Sequence, residues 1–188
     1  MNHQYICLHN LSNMKKTIAI DMDGVIADID THFINWYERD YGIKILPENI
    51  LGLTTAEAFP DGAIRKFVYT PGFFLTAPVM PGAVEALKTL SESFEIYIVS
   101  AAVEFPQSLS EKLQWLNINF PFITWKNIVF CGDKSIINTD FMIDDMIRNL
   151  DTFKGETLMF NSIFNYNHNH HKRVHTWPEV VELMKEKA

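Results

Sequence analysis

Three features of the chain predict an α/β fold with a parallel sheet covered by helices on both faces. Short runs rich in β-branched or other apolar residues recur at Lys16–Ile20, Glu95–Val99, Asn127–Cys131, Phe141–Ile143 and Thr157–Phe160. Segments long enough for a helix separate most of them. Three of the runs stop on a polar residue, at Asp21, Ser100 and Asp144, and in such folds sites form at the carboxyl ends of strands.

A chain of 188 residues suits one domain, or one domain carrying a modest insertion. With 47% hydrophobic and 21% charged residues it has the means to pack a core. Sixteen Lys and Arg against 23 Asp and Glu leave a net charge of −7, which excludes a basic footprint for a nucleic-acid polymer. Small phosphorylated ligands stay open, because a metal ion or a lysine inverts the field locally. The two cysteines, Cys7 and Cys131, form no CxxC pair and no disulfide scaffold. Cys131 closes an apolar run and is expected as a buried thiol, in keeping with a reducing, cytoplasmic setting. No apolar run reaches the roughly 18 residues of a membrane span, and residues 1–13 lack the apolar core of a signal peptide. Met14-Lys15-Lys16 before the first strand resembles a natural start, so 1–13 are read as an N-terminal extension or an expression remnant.

After the first strand, Ile29, Phe33, Trp36 and Tyr37 fall on one helical face, and Tyr41-Gly42 marks the stop. From about Lys44 to Val79 the periodicity dissolves among Pro47, Gly52, Pro60, Gly62, Pro71, Gly72 and Pro78. Residues 33–77 are therefore expected as a small, mostly helical cap, with a short helix over Ala63–Tyr69. Pro71-Gly72-Phe73-Phe74 reads as an exposed or pocket-lining turn. The core is assigned to 14–32 and 78–188. It contains helices around Val84, Leu87 and Leu90, over Ser108–Leu116, and over Pro178–Lys185. Asn161–His171 is polar, and its His168, His170 and His171 lack zinc-type spacing, so an exposed loop is expected there.

Four pieces carry chemistry, each at a strand end. In Asp21-Met22-Asp23-Gly24-Val25 both carboxylates can reach one pocket, one as nucleophile and metal ligand and one as proton donor and acceptor. Gly24 lets the backbone turn behind them. An Asx-rich turn without chemistry is the bland alternative. Ser100 offers a hydroxyl and the backbone N–H that follows it to a phosphate oxygen, or else caps a helix. Lys134 can neutralise a carboxylate and a phosphate together, or lie on the surface. Asp144-Asp145 suits a hard cation such as Mg²⁺, with helix capping as the alternative for Asp145.

In the order DxD, Ser, Lys, DD, these pieces resemble the four motifs of the haloacid dehalogenase (HAD) superfamily. Ile20 to Asp28 (IDMDGVIAD) and Pro71-Gly72-Phe73-Phe74-Leu75 narrow the resemblance to the 5′(3′)-deoxyribonucleotidases. So do Pro81-Gly82, Glu111-Lys112-Leu113-Gln114-Trp115 and the stretch from Asp133-Lys134 to Ile143-Asp144-Asp145. The resemblance implies a Rossmann-like hydrolase core with a cap between the first and second motifs. It implies Mg²⁺-dependent hydrolysis of nucleoside 5′- or 3′-monophosphates through a phosphorylated Asp21, with Asp23 as general acid and base. Ser100 and Lys134 would bind phosphate, and Asp21, the Asp23 carbonyl and Asp144 or Asp145 would hold the metal, with Asp144 preferred. The family's Thr-Ser-Pro is here Ser100-Ala101-Ala102, which keeps the first hydroxyl and lacks the second.

A phosphoacceptor receiver domain uses similar groups, but its acidic pair comes early and its lysine last. A capped phosphatase for sugar or cofactor phosphates would keep the fold. Phe73 and Phe74 favour a stackable base instead, unless they pack in the core. Monomer and homodimer are both left open.

Overall fold

The computed structural model describes residues 15–188, so the extension read over 1–13, Cys7 included, lies outside it. Strands β1 (Lys16–Ile20), β2 (Phe94–Ser100), β3 (Ile128–Phe130), β4 (Phe141–Asp144), β5 (Glu156–Phe160) and β6 (Lys172–Val174) form one sheet. Its order is β3-β2-β1-β4-β5-β6, and every pairing is parallel. The α/β expectation therefore holds. β1 lies at the point where the strand order reverses, so the ends of β2, β1 and β4 open on a common crevice.

Alternation along the strands distributes the core. Ile18, Ile20, Ile96, Ile98 and Ile143 face one side, where α4 (Ala83–Ser93) and α7 (Trp177–Lys185) cover them. Ala19, Val99, Met142 and Met159 face the other and pack with Leu150 of α6 (Ile147–Thr152). Both faces are dry, which is why these strands read as continuous apolar runs. Cys131 is buried and free, as expected.

Helix α1 (Ile29–Tyr41) starts at Asp28, whose side chain accepts the Thr31 N–H at 3.1 Å. It ends at Gly42, which is left-handed with φ 67° and returns its N–H to the Glu38 carbonyl. Residue 33, where the cap is expected to begin, lies within this helix, and Phe33 packs on its buried face. The irregular segment beyond it contains α2 (Thr55–Ala58), opened by a capping box of Thr54 and Glu57, and α3 (Ala63–Val68). The chain leaves and rejoins the core at one place. The Asp28 N–H reaches the Pro78 carbonyl at 2.8 Å, and the Met80 N–H reaches the Ile26 carbonyl at 2.8 Å.

Strand β6 was not expected, because Lys172 and Arg173 interrupt any apolar run. It is a three-residue edge strand, held in part by Arg173, whose guanidinium binds Asn161 Oδ1 at 2.9 Å and Asn165 Oδ1 at 2.6 Å. No helix among the described residues is long and apolar enough to cross a membrane.

Candidate active site

β1 delivers Asp21 to the crevice one residue past Ile20, and the Asp21 N–H still bonds the Ile143 carbonyl at 2.9 Å. The chain then folds back on itself, the Met22 carbonyl accepting from Ile26 and Ala27 at 3.0 and 2.8 Å. Gly24 sits at φ +75° inside this turn. A Cβ there would lie 2.6 Å from Asp145 Oδ2, so both conformation and space require glycine.

Lys134, for which a surface position was the alternative, is buried and holds the centre together. Its Nζ lies 2.7 Å from Asp21 Oδ1 and 2.7 Å from Asp144 Oδ2. Burial alone would lower its affinity for a proton, but the two carboxylates overcome that and keep the ammonium charged. Burial pushes the Asp21 carboxyl up to about 7; Lys134 opposes the rise, and Asp144 and Asp23 add to it. Among the described residues, every partner of the Asp21 carboxyl binds Oδ1, the Met22 N–H at 2.7 Å as well as Lys134. Oδ2 accepts no hydrogen bond from them.

Asp144 and Asp145, between which the metal was left to choose, differ in their contacts. Asp144 is saturated: besides Lys134 it accepts the Met146 N–H at 2.8 Å and Asn149 Nδ2 at 3.1 Å on both oxygens. Asp145 Oδ1, by contrast, is buried without a hydrogen-bond partner. Burial, then the charges of Asp21 and Asp144, push its carboxyl well above the usual range. The side chain of Asp145 does not cap α6, the role offered as its alternative. Ligand oxygens of Asp21, Asp144 and Asp145 lie within 4.8 Å of one another. An orphaned oxygen in an all-carboxylate set fits a hard divalent cation such as Mg²⁺.

A raised carboxyl stabilises the fold below its unfolded value of 3.8, and that contribution disappears as pH climbs through its folded value, about 7 for Asp21. In metal-free protein, Asp145→Asn removes one of the opposed charges. It is expected to raise Tm at pH 8 in EDTA more than at pH 5, and to abolish stabilisation by Mg²⁺. An unchanged or lower Tm at pH 8 would contradict the repulsion.

The residue missed from sequence is Lys112, on α5 (Ser108–Asn119). It is only 3% exposed, donates to Ser100 Oγ at 2.9 Å and pairs with Asp23 Oδ2. Its ammonium also lies 4.7 Å from the centre of the Phe74 ring. The signal was present: Ser108, Lys112 and Leu116 recur every four residues on the buried face of the helix. Ser100 caps no helix; its hydroxyl is turned to Lys112. Around Lys112, the same run of sequence ties down the turn from Gly72 to Ala77. Glu111 accepts the Gly72, Phe74 and Leu75 N–H groups at 2.6, 3.1 and 3.3 Å, and Trp115 Nε1 donates to the Ala77 carbonyl at 2.7 Å.

That anchoring separates the two phenylalanines. Phe73 is fully buried against Phe33, Trp36 and His32 and lines no part of the cavity, which corrects the expectation of a pocket-facing ring. Phe74 does line it. The cavity, about 240 Å³, runs from Asp21, Asp23, Ser100, Lys112, Lys134 and Asp145 to an apolar wall. Phe33, Phe74, Phe105 and Phe164 supply the aromatic part of that wall.

Solved structures that superpose on this architecture include haloacid-dehalogenase-like hydrolases. One from Streptococcus pneumoniae, SP0104, superposes with a TM-score of 0.59 at 14% identity, covering 90% of this chain and 98% of that one. A HAD family hydrolase from Deinococcus radiodurans R1, solved with phosphate and sodium bound, gives 0.55 at 12% identity, covering 92% and 96%. Within that class the sequence is more specific. The family described as "5′ nucleotidase, deoxy (Pyrimidine), cytosolic type C protein" matches residues 15–188, and the chain belongs to it. The 5′(3′)-deoxyribonucleotidase of Bacillus subtilis (strain 168) is 37% identical over 170 residues, 89% of this chain and 97% of its own. A Staphylococcus aureus (strain Mu50) protein, provisionally named 5′(3′)-deoxyribonucleotidase, is 40% identical over 172 residues, 89% and 94% of the two chains. The chain is thus, by family, a phosphoric monoester hydrolase, and its fold is that of the haloacid-dehalogenase-like hydrolases.

Proposed function

We propose that the enzyme hydrolyses nucleoside monophosphates, deoxyribonucleotides foremost, with Asp21 as nucleophile and Asp23 as general acid and base. One observation carries this reading: two buried lysines meet at one end of an aromatic-lined cavity, each paired with a carboxylate of the DxD motif. A phosphate monoester resists attack because an anion must approach an anion. Lys134 and Lys112 reduce that repulsion from two sides, in a site where water screens little. Ser100 adds a hydroxyl donor beside Lys112.

Asp21 Oδ2 attacks phosphorus as the ester oxygen departs, and an aspartyl-phosphate forms. Asp23 gives the departing nucleoside oxygen its proton, then takes one from the water that cleaves the acyl phosphate. Lys112, bound to Asp23 before substrate arrives, is the group free to turn toward a phosphate oxygen. Mg²⁺ would be held by the carboxylates of Asp21 and Asp145 and the Asp23 carbonyl, with Asp144 behind, and would supply positive charge to the phosphoryl oxygens.

The test is a panel of deoxyribo- and ribonucleoside monophosphates and sugar phosphates, assayed with and without Mg²⁺. Nucleotides are expected to be cleaved with the higher kcat/KM, and only with the metal. Preference for sugar phosphates would overturn the substrate class.

The aromatic wall gives a second check. Stacking a base on a ring contributes roughly 1–3 kcal/mol. Phe74→Leu is therefore expected to raise KM for a nucleotide by about 5- to 100-fold and to spare a small phosphate ester without a base. Phe73→Leu should lower Tm and leave KM nearly unchanged. Equal effects of both variants on both substrates would show that neither ring meets the base.

A further inference from the structure

Outside the catalytic crevice, the loop joining β5 to β6 brings its histidines against α6. His170 Nε2 and His171 Nε2 each lie 2.9 Å from the same oxygen, Asp151 Oδ1. The other ring nitrogen of His171, Nδ1, is 2.9 Å from Thr157 Oγ1 on β5, and the His171 side chain is only 12% exposed. The loop is exposed at His168 and His170, as the sequence suggests, but His171 is turned inward. The cluster was not legible from spacing because its carboxylate comes from a helix that precedes β5.

We propose that Asp151, His170 and His171 form a second metal site, for a transition ion of the zinc type. Donor atoms of all three lie within 4.8 Å of one another. A tetrahedral zinc ion with bonds near 2.0–2.2 Å holds its ligands about 3.3 Å apart, so atoms now 2.9 Å apart need open by only a few tenths of an ångström. Two imidazoles and a carboxylate select zinc, nickel or copper over magnesium. Thr157 supplies what a ligating histidine requires on its far side, a partner that fixes ring orientation and leaves Nε2 for the ion. When the ion binds, the proton of His171 resides on Nδ1 and is donated to Thr157 Oγ1. Solvent, or His168, whose ring lies 6.1 Å from that of His170, completes the shell.

The position gives the ion a structural consequence. The same loop carries Asn165, whose Nδ2 donates to the Asp145 carbonyl at 2.9 Å. It also carries Ser162 and Ile163, which donate to Asp30 at 2.8 and 3.0 Å, and Phe164, which lines the catalytic cavity. Clamping His170 and His171 to α6 ties that wall to the helix that follows the Asp144-Asp145 pair.

The experiment is a zinc titration of the full chain by calorimetry, with Mg²⁺ in millimolar excess to occupy the carboxylate site, alongside thermal melts. One Zn²⁺ more per chain should bind than to His170→Ala or His171→Ala. At a hundredfold excess over Kd it should raise Tm by about 5–10 °C. Thr157→Val, which leaves all three ligands in place, should weaken zinc binding by roughly 10- to 100-fold. The proposal is overturned if zinc stoichiometry and affinity are the same in the histidine variants as in the parent. It is equally overturned if those variants lose the same Tm with and without zinc, the behaviour of a plain ion-pair cluster.

Discussion

Asp21→Asn is expected to leave a folded protein that releases no measurable phosphate, a loss of more than about 10⁴-fold in kcat. The amide keeps the shape of the side chain and an oxygen for the Met22 N–H, which bonds Oδ1 at 2.7 Å in the parent. It removes the nucleophilic charge and half of the charge that faces Lys134. Because burial strains the Asp21 carboxylate in the parent, the variant should melt no lower than wild type in EDTA at pH 8. Activity retained within tenfold, with Mg²⁺ present, would remove Asp21 from the role of nucleophile.

Asp23→Asn should cost about 10²- to 10⁴-fold with nucleotides, the usual contribution of a placed proton donor. The loss should be smaller for p-nitrophenyl phosphate, whose leaving group departs without a proton, and what remains is the slower hydrolysis of the shared acyl phosphate. The contrast between the substrates is the diagnostic feature, since the amide also breaks the ion pair with Lys112. Disturbed phosphate binding alone would slow both substrates equally. Identical losses for nucleotide and p-nitrophenyl ester would therefore assign Asp23 to positioning Lys112.

How much of this was legible in the chain follows from where each group sits. Asp21, Ser100 and the Asp144-Asp145 pair stand directly after apolar runs, and a parallel sheet brings adjacent strand ends together. Their proximity could thus be argued before any coordinate was known. Lys112 arrives from the side of a helix, and its meeting with Ser100 depends on how α5 docks, which no local pattern encodes. The difference between Asp144 and Asp145 is hidden in the sequence for a similar reason. Asp144 ends β4 and Asp145 follows it, and only the contacts of Asn149, Met146 and Lys134 reveal that Asp144 is already saturated. Phe73 and Phe74 are chemically identical neighbours; Glu111 fixes the turn so that one ring enters the core and the other the cavity. Strand β6 escaped notice because an edge strand of three residues carrying Lys172 and Arg173 has no apolar signature.

The central claim, that Asp21 is phosphorylated during turnover, is tested most directly by chemical trapping. The enzyme would be quenched in acid during steady-state hydrolysis of a deoxyribonucleoside monophosphate, reduced with borohydride and mapped by peptide mass spectrometry. Reduction converts an aspartyl-phosphate to homoserine, and the expected result is homoserine at position 21, dependent on substrate and lost from Asp21→Asn. Homoserine at another aspartate, or none at position 21 while phosphate is being released, would contradict the mechanism.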